Sequence, residues 1–124
     1  MIDAPYVCEA PRAGDGDSIS CGSTRLRLVG IDAPEISHCR RGRKCVPGDG
    51  QASKKSLARG LQLGPIRYRR ISIDRYGRTI AAVYARSTNL SCYQLRNGGA
   101  VYVARWDTGS VVARECRWPD GNDL

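Results

Sequence analysis

The chain has 124 residues, enough for one modest hydrophobic core and hence one domain, but not two. Its 20 Lys and Arg against 12 Asp and Glu leave a formal charge of +8, and every cation except Lys44, Lys54 and Lys55 is an arginine. Genomic base bias would explain arginine over lysine but not the net excess, which favours a polyanion held by guanidinium forks, nucleic acid first. No run approaches the roughly 20 apolar residues of a membrane span. Because Met1-Ile2-Asp3-Ala4-Pro5 lacks a basic-then-apolar pattern, an export signal is expected to be removed or absent.

Tyr6 to Arg12, Asp17 to Cys21 and Thr24 to Ile31 read as strands, the last two closed into a hairpin by Cys21-Gly22-Ser23-Thr24. The stretch from 37 to 50 reads as a loop. Gly50 to Leu61 carries Ala52, Leu57, Ala58 and Leu61 on helical spacing, with Asp49 as N-cap and Gly60 and Gly64 near its end. Ile66 to Ile73 and Thr79 to Ala85 form a second hairpin, turned at Gly77. In its first strand the apolar parity slips between Tyr68 and Ile71, which predicts a bulge. Asn89 to Arg96 reads as a short helix stopped by Gly98-Gly99, and Ala100 to Arg105 as extended. Thr108 is a candidate cap for a last helix carrying Val111, Val112, Glu115 and Cys116 and closed by Pro119, with 119–124 a flexible tail. This order predicts an α+β domain spanning 1–124, a five-stranded OB-type Greek-key β-barrel with about three short helices.

Six cysteines are many for so short a chain, and the even number favours disulfides in an oxidising compartment, secreted or periplasmic. About 15 connectivities are open to six cysteines; the one that links neighbouring segments, Cys8 with Cys21, Cys39 with Cys45, and Cys92 with Cys116, is the pairing expected here. Zinc on Cys39, Cys45 and His38 is the weaker alternative, because no Cys-x-x-Cys pair exists.

Charge recurs beside β-rich sequence in three runs: Asp15-Gly16-Asp17, Arg25 to Glu35, and Asp74-Arg75-Tyr76-Gly77-Arg78. Singly, such residues are ordinary exposed strand ends and turns. Together they supply what phosphodiester hydrolysis needs: oxygen ligands for a hard cation, planar cations for the transition state, and a carboxylate for the attacking water. An unbroken strand would separate Arg27 from Asp32 by about 16 Å and put them on opposite faces. Gly30 is the natural site of a bend between them, with Pro34 fixing the chain beyond.

On the blocks DGDSI, RLRLVGIDAPE, QASKKSL and DRYGR, in this order and spacing, the sequence resembles the staphylococcal nuclease (thermonuclease) family from about Val7 to Arg105. The resemblance implies calcium held by the carboxylates of Asp17 and Asp32 and the carbonyl of Ala33. Glu35 is then the carboxylate that holds or deprotonates water, and Arg27 and Arg78 are the arginines on the phosphate. Arg75 and Tyr76 grip the neighbouring phosphate. Asp15 stands near the metal in the same comparison, but an aspartate before glycine is equally a turn former. The implied activity is a calcium-dependent nuclease acting, as a monomer, on DNA or RNA to leave 3′-phosphate and 5′-hydroxyl ends.

Three features depart from that pattern. The segment after Glu35 carries Cys39 and Cys45, so its loop is expected to be stapled and the substrate entrance pre-ordered, although its charges also suit a solvated loop. Base-stacking aromatics do not align; Tyr102 and Trp106 are the candidates. The last helix looks short, tied down by Cys116. A non-catalytic single-strand-binding barrel is the main alternative function, and a disulfide-stapled inhibitor the third. Neither calls for carboxylates that would repel a polyanion.

Overall fold

The computed structural model describes residues 2–39 and 41–116. In chain order the elements are β1 (Tyr6–Val7), β2 (Pro11–Ala13), β3 (Ser18–Cys21), β4 (Thr24–Leu28), β5 (Ile31–Asp32), α1 (Gly50–Leu61), β6 (Ile66–Ile73), β7 (Thr79–Ala85), β8 (Thr88–Asn89), α2 (Leu90–Arg96), β9 (Val101–Tyr102) and α3 (Val111–Glu115). Short 3-10 turns at Ala104–Trp106 and Thr108–Ser110 precede α3. The main sheet runs β1-β6-β7-β4-β3-β2 with β8 on β7, while β5 pairs with β9. All pairings are antiparallel except that of β4 with β7. The result is a mixed sheet curled into a half-barrel with three helices, the α+β, OB-like architecture the sequence predicts.

The local signals act as expected. Asp49 caps α1, its carboxylate accepting from the backbone N–H of Gln51 and Ala52. Gly77 turns β6 into β7 at φ 82°, and the β6–β7 register slips between Arg70 and Ser72, the predicted bulge. Ile19, Leu26, Leu28, Ile31, Leu57, Val83 and Leu90 fill the main core. A smaller cluster of Val29, Ala82, Tyr84, Val111 and Val112 seats α3 against the sheet.

Two of the expected strands break, each for a backbone reason, while those expected at 66–73 and 79–85 are found over the same residues. Ala10, at φ 50°, breaks Tyr6 to Arg12 into β1 and β2, and Gly30, at φ 76°, separates β4 from β5. Ala100 to Arg105 is extended only over β9 before the first 3-10 turn. Thr108 does not cap α3. Asp107 does the work expected of it, accepting from the N–H groups of Val112 (2.9 Å) and Ala113 (3.0 Å) and from the Tyr102 hydroxyl (2.8 Å). The expected stop at Pro119 and the tail lie outside the described residues.

Disulfides join Cys8 to Cys21, Cys39 to Cys45 and Cys92 to Cys116, the pairs expected from neighbouring segments, and no described cysteine is free for zinc. Three disulfides suit an extracellular or periplasmic protein. Among the described residues no helix is long and apolar enough to cross a membrane.

Candidate active site

The site begins with the bend at Gly30. A Cβ there would lie 2.8 Å from a Val112 methyl and 3.2 Å from an Asp107 carboxylate oxygen. Only glycine meets both the positive φ and this approach by α3. The reversal returns the chain so that Arg27, on β4, reaches across it. Its Nη2 donates to the Ile31 carbonyl (3.2 Å) and lies 3.6 Å from Asp17 and 3.7 Å from Asp32. The guanidinium also packs 4.9 Å from the Trp106 ring centroid, a cation–π contact that holds it from behind. Tyr102, by contrast, has its hydroxyl engaged by Asp107.

Both carboxylates are buried, Asp17 at 5% and Asp32 at 6% exposure. Asp17 accepts from the Ala33 backbone N–H at 3.0 Å. Burial, with a smaller contribution from neighbouring Asp15, pushes the Asp17 carboxyl up to about 7 against the pull of Arg27. Asp15 uses one carboxylate oxygen to close the turn, accepting from the Asp17 N–H (3.0 Å) and the Ser18 hydroxyl (2.8 Å). Burial raises its carboxyl too, but hydrogen bonding with the Asp17 side chain, together with these bonds and Arg27, outweighs it and holds Asp15 below the usual carboxylate range.

Glu35, just past Pro34, is fixed from two directions. Its backbone is so close to the start of α1 that a Cβ on Gly50 would lie 2.2 Å from the Glu35 carbonyl oxygen. Its side chain, 32% exposed, accepts from Arg43 Nη1 at 2.7 Å, while Arg43 Nη2 lies 3.5 Å from Asp32. Arg43 comes from the Cys39–Cys45 loop, for which the sequence predicts a stapled entrance or a solvated basic stretch and no role for Arg43. The only signal was an arginine inside a short cysteine loop following the acidic run.

Arg78, Arg75 and Tyr76 lie apart from this cluster, on the β6–β7 turn. Arg78 Nε donates to Asp74 at 2.8 Å, and the Arg75 and Arg78 guanidinium groups sit 5.5 Å and 5.8 Å from the Tyr76 ring centroid. Burial alone would raise Asp74, but the N–H groups of Arg78 and Tyr76 and the Arg78 charge outweigh it and lower its carboxyl. Arg27 is in register with Ile80 across the parallel β4–β7 pair. Arg78 stands two residues before Ile80, just ahead of β7, where Asp74 and the Tyr76 ring are its partners.

Beneath the site lies a buried polar network that sequence reasoning missed. Gln94, on α2, donates to the carbonyls of Gly16 (2.6 Å) and Ser53 (3.0 Å) and accepts from the Ser56 hydroxyl (2.6 Å). Ser53 in turn donates to the Gly99 carbonyl at 2.5 Å. This network ties the loop before Asp17 to α1 and α2, and Gly16 is packed so closely that a Cβ would strike Ser53. Gln94→Leu strands several buried acceptors and donors at once, and is expected to lower stability by about 3 kcal/mol. The check is a lower urea midpoint at unchanged m-value.

Among the described residues no three His, Cys, Asp or Glu side chains converge as a metal cage. What does converge is a hard-oxygen set: two buried carboxylates sharing one guanidinium, with the Ala33 backbone beside them. That donor chemistry fits calcium or another hard divalent cation, which takes oxygen ligands and accepts water and substrate in the remaining positions. Arg27, with Arg43 at Asp32, partly compensates these carboxylates here.

A family model described as staphylococcal nuclease homologue matches residues 25–115. An uncharacterized endonuclease of Haemophilus influenzae is 34% identical over 99 residues, 76% of this chain and 51% of that protein. A probable staphylococcal-like nuclease, CAN3, of Oryza sativa subsp. japonica is 24% identical over 115 residues, 86% of this chain and 28% of that protein. The chain thus spans about half the length of the first relative and under a third of the second. With the match running from β4 through α3, over most of its length, the chain belongs to the staphylococcal nuclease homologue family.

Proposed function

We propose that the chain is a calcium-dependent nuclease that hydrolyses phosphodiester bonds of DNA or RNA, leaving 3′-phosphate and 5′-hydroxyl ends. The observation that carries this reading is the convergence of Asp17, Asp32 and Arg27 from separate segments, with Glu35 joined to Asp32 through Arg43. Asp17, Asp32 and the Ala33 carbonyl would hold calcium, which when bound supplies Lewis-acid polarisation of the phosphodiester and neutralises charge. Arg27 and Arg78 bind the phosphate oxygens and stabilise charge that grows in the transition state. Glu35 orients the attacking water and receives its proton. Arg75 and Tyr76 hold the adjacent phosphate, so the chain grips backbone and not bases.

The experiment is incubation with single-stranded DNA in calcium and then in excess chelator, following acid-soluble nucleotide release. Release in calcium that stops with chelator is the expected result, and tight binding without cleavage would replace the reading with a binding module. Glu35→Gln is expected to keep the fold, since the side chain is one-third exposed, and to lower turnover by ~10²-fold or more. Hydrolysis near the wild-type rate by that variant would remove Glu35 from its role.

A further inference from the structure

We infer that Arg43 is a positioning residue for Glu35, and that the Cys39–Cys45 disulfide is the brace that keeps it in place. The proposal rests on the nuclease reading above and adds a residue and a covalent device to the site. Glu35 lies at the edge of the site, partly open to solvent, and a glutamate there samples several rotamers unless something holds it. Its backbone is held by α1 at Gly50, and its carboxylate by Arg43 at 2.7 Å.

Arg43 is itself 41% exposed and lies in a loop without helix or strand, so an unbraced chain would lose this contact readily. The brace is local. Cys39 and Cys45 are six residues apart, and the Arg43 carbonyl oxygen packs 3.0 Å from Cys39 Sγ and 4.0 Å from Cys45 Sγ. A disulfide sulfur has no proton to donate, so these are packing contacts that seat the Arg43 backbone directly on the S–S bond. Closing the loop restricts the backbone conformations from which the guanidinium would point elsewhere. The second contact, to Asp32 at 3.5 Å, is longer and is the one a divalent cation at Asp32 would displace, leaving the bond to Glu35. Reacting groups must be held closely, since small misplacements cost large factors in rate.

The test compares kcat, KM and half-saturating calcium on single-stranded DNA for wild type, Arg43→Ala, Arg43→Lys, the double variant Cys39→Ser/Cys45→Ser, and all three sites combined as Arg43→Ala/Cys39→Ser/Cys45→Ser. Arg43→Ala is expected to lower kcat about tenfold with little change in KM, and Arg43→Lys to recover to within about threefold of wild type, because one ammonium still reaches Glu35. The cysteine double variant should lower kcat in the same direction. The combined variant should lose no more than Arg43→Ala alone, since both changes act through one guanidinium.

An unchanged kcat in Arg43→Ala overturns the proposal. So does a raised KM at constant kcat, the mark of a phosphate contact. A raised kcat with a lower calcium requirement would make Arg43 a competing cation and also overturn it, and additive losses in the combined variant would overturn the bracing role. No cleavage by the wild type would overturn the nuclease reading and this proposal with it, whereas a cleaving wild type with an unaffected Arg43→Ala removes Arg43 alone.

Discussion

Arg27→Met is expected to lower phosphodiester turnover by ~10³-fold and, in chelator, to lower stability by about 3 kcal/mol. The two losses have different origins. Arg27 is 12% exposed and shares one nitrogen between Asp17 and Asp32, whose side chains are 7% and 9% exposed. Removing it leaves Asp32 with Arg43 but leaves Asp17, which accepts from the Ala33 N–H and neighbours Asp15, without a cation. Arg27→Lys separates the effects. It restores a charge and hence most of the stability, yet the planar fork is gone and turnover should remain down by ~10²-fold. If Asp17 and Asp32 hold calcium, replacing chelator with calcium raises the melting temperature of wild type and raises that of Arg27→Met further, because the ion binds the folded chain where the charge is least compensated. Equal melts of Arg27→Met and wild type in chelator would mean the carboxylates are solvated and not the buried pair described above.

The second large effect is expected at the other end of the chain. Replacing Cys92 and Cys116 by serine should lower stability by about 3 kcal/mol and the melting temperature by on the order of 10 °C. α3 is only five residues long and cannot persist by itself. It is held by the disulfide to α2, by burial of Val111 and Val112, and by Glu115, which accepts from the Tyr84 hydroxyl (2.5 Å) and from Asn89 Nδ2 (3.1 Å). Because Val112 and Asp107 press on Gly30, loosening α3 should also relax the bend that returns Asp32 to Arg27. Turnover should therefore fall in the double variant below its melting temperature, with activity lost before the global melt. Coincident loss of activity and fold would confine the disulfide to global stability. Reduction of all three disulfides should bring the domain close to unfolding at 37 °C, since their combined effect rivals the stability of a typical domain.

Much of this fold is legible residue by residue. Asp49 before Gly50–Leu61 marks a helix start because an aspartate can satisfy the first free N–H groups wherever it stands. Gly77 marks a turn and Gly30 a bend because positive φ is costly for residues with a side chain. The slip in apolar parity in β6 marks a bulge because side chains alternate faces with period two. The disulfides are those that link neighbouring segments, one choice among the connectivities open to six cysteines, and the Asp17, Arg27 and Asp32 grouping was legible through the family resemblance, with Gly30 as the bend it needs.

The segments, their turns, and the residue types brought to the site are thus set locally along the chain. What holds those residues is settled only on folding. Asp107 and not Thr108 caps α3, and Trp106 backs Arg27. Gln94 reaches Gly16 from 78 positions away, and Arg43 turns inward to Glu35. Each of these depends on a partner that arrives from a distant segment or through a closed loop. A lone glutamine or arginine reads the same in the sequence whether it is solvated or buried, because its cost or benefit is set by the partner it meets on folding.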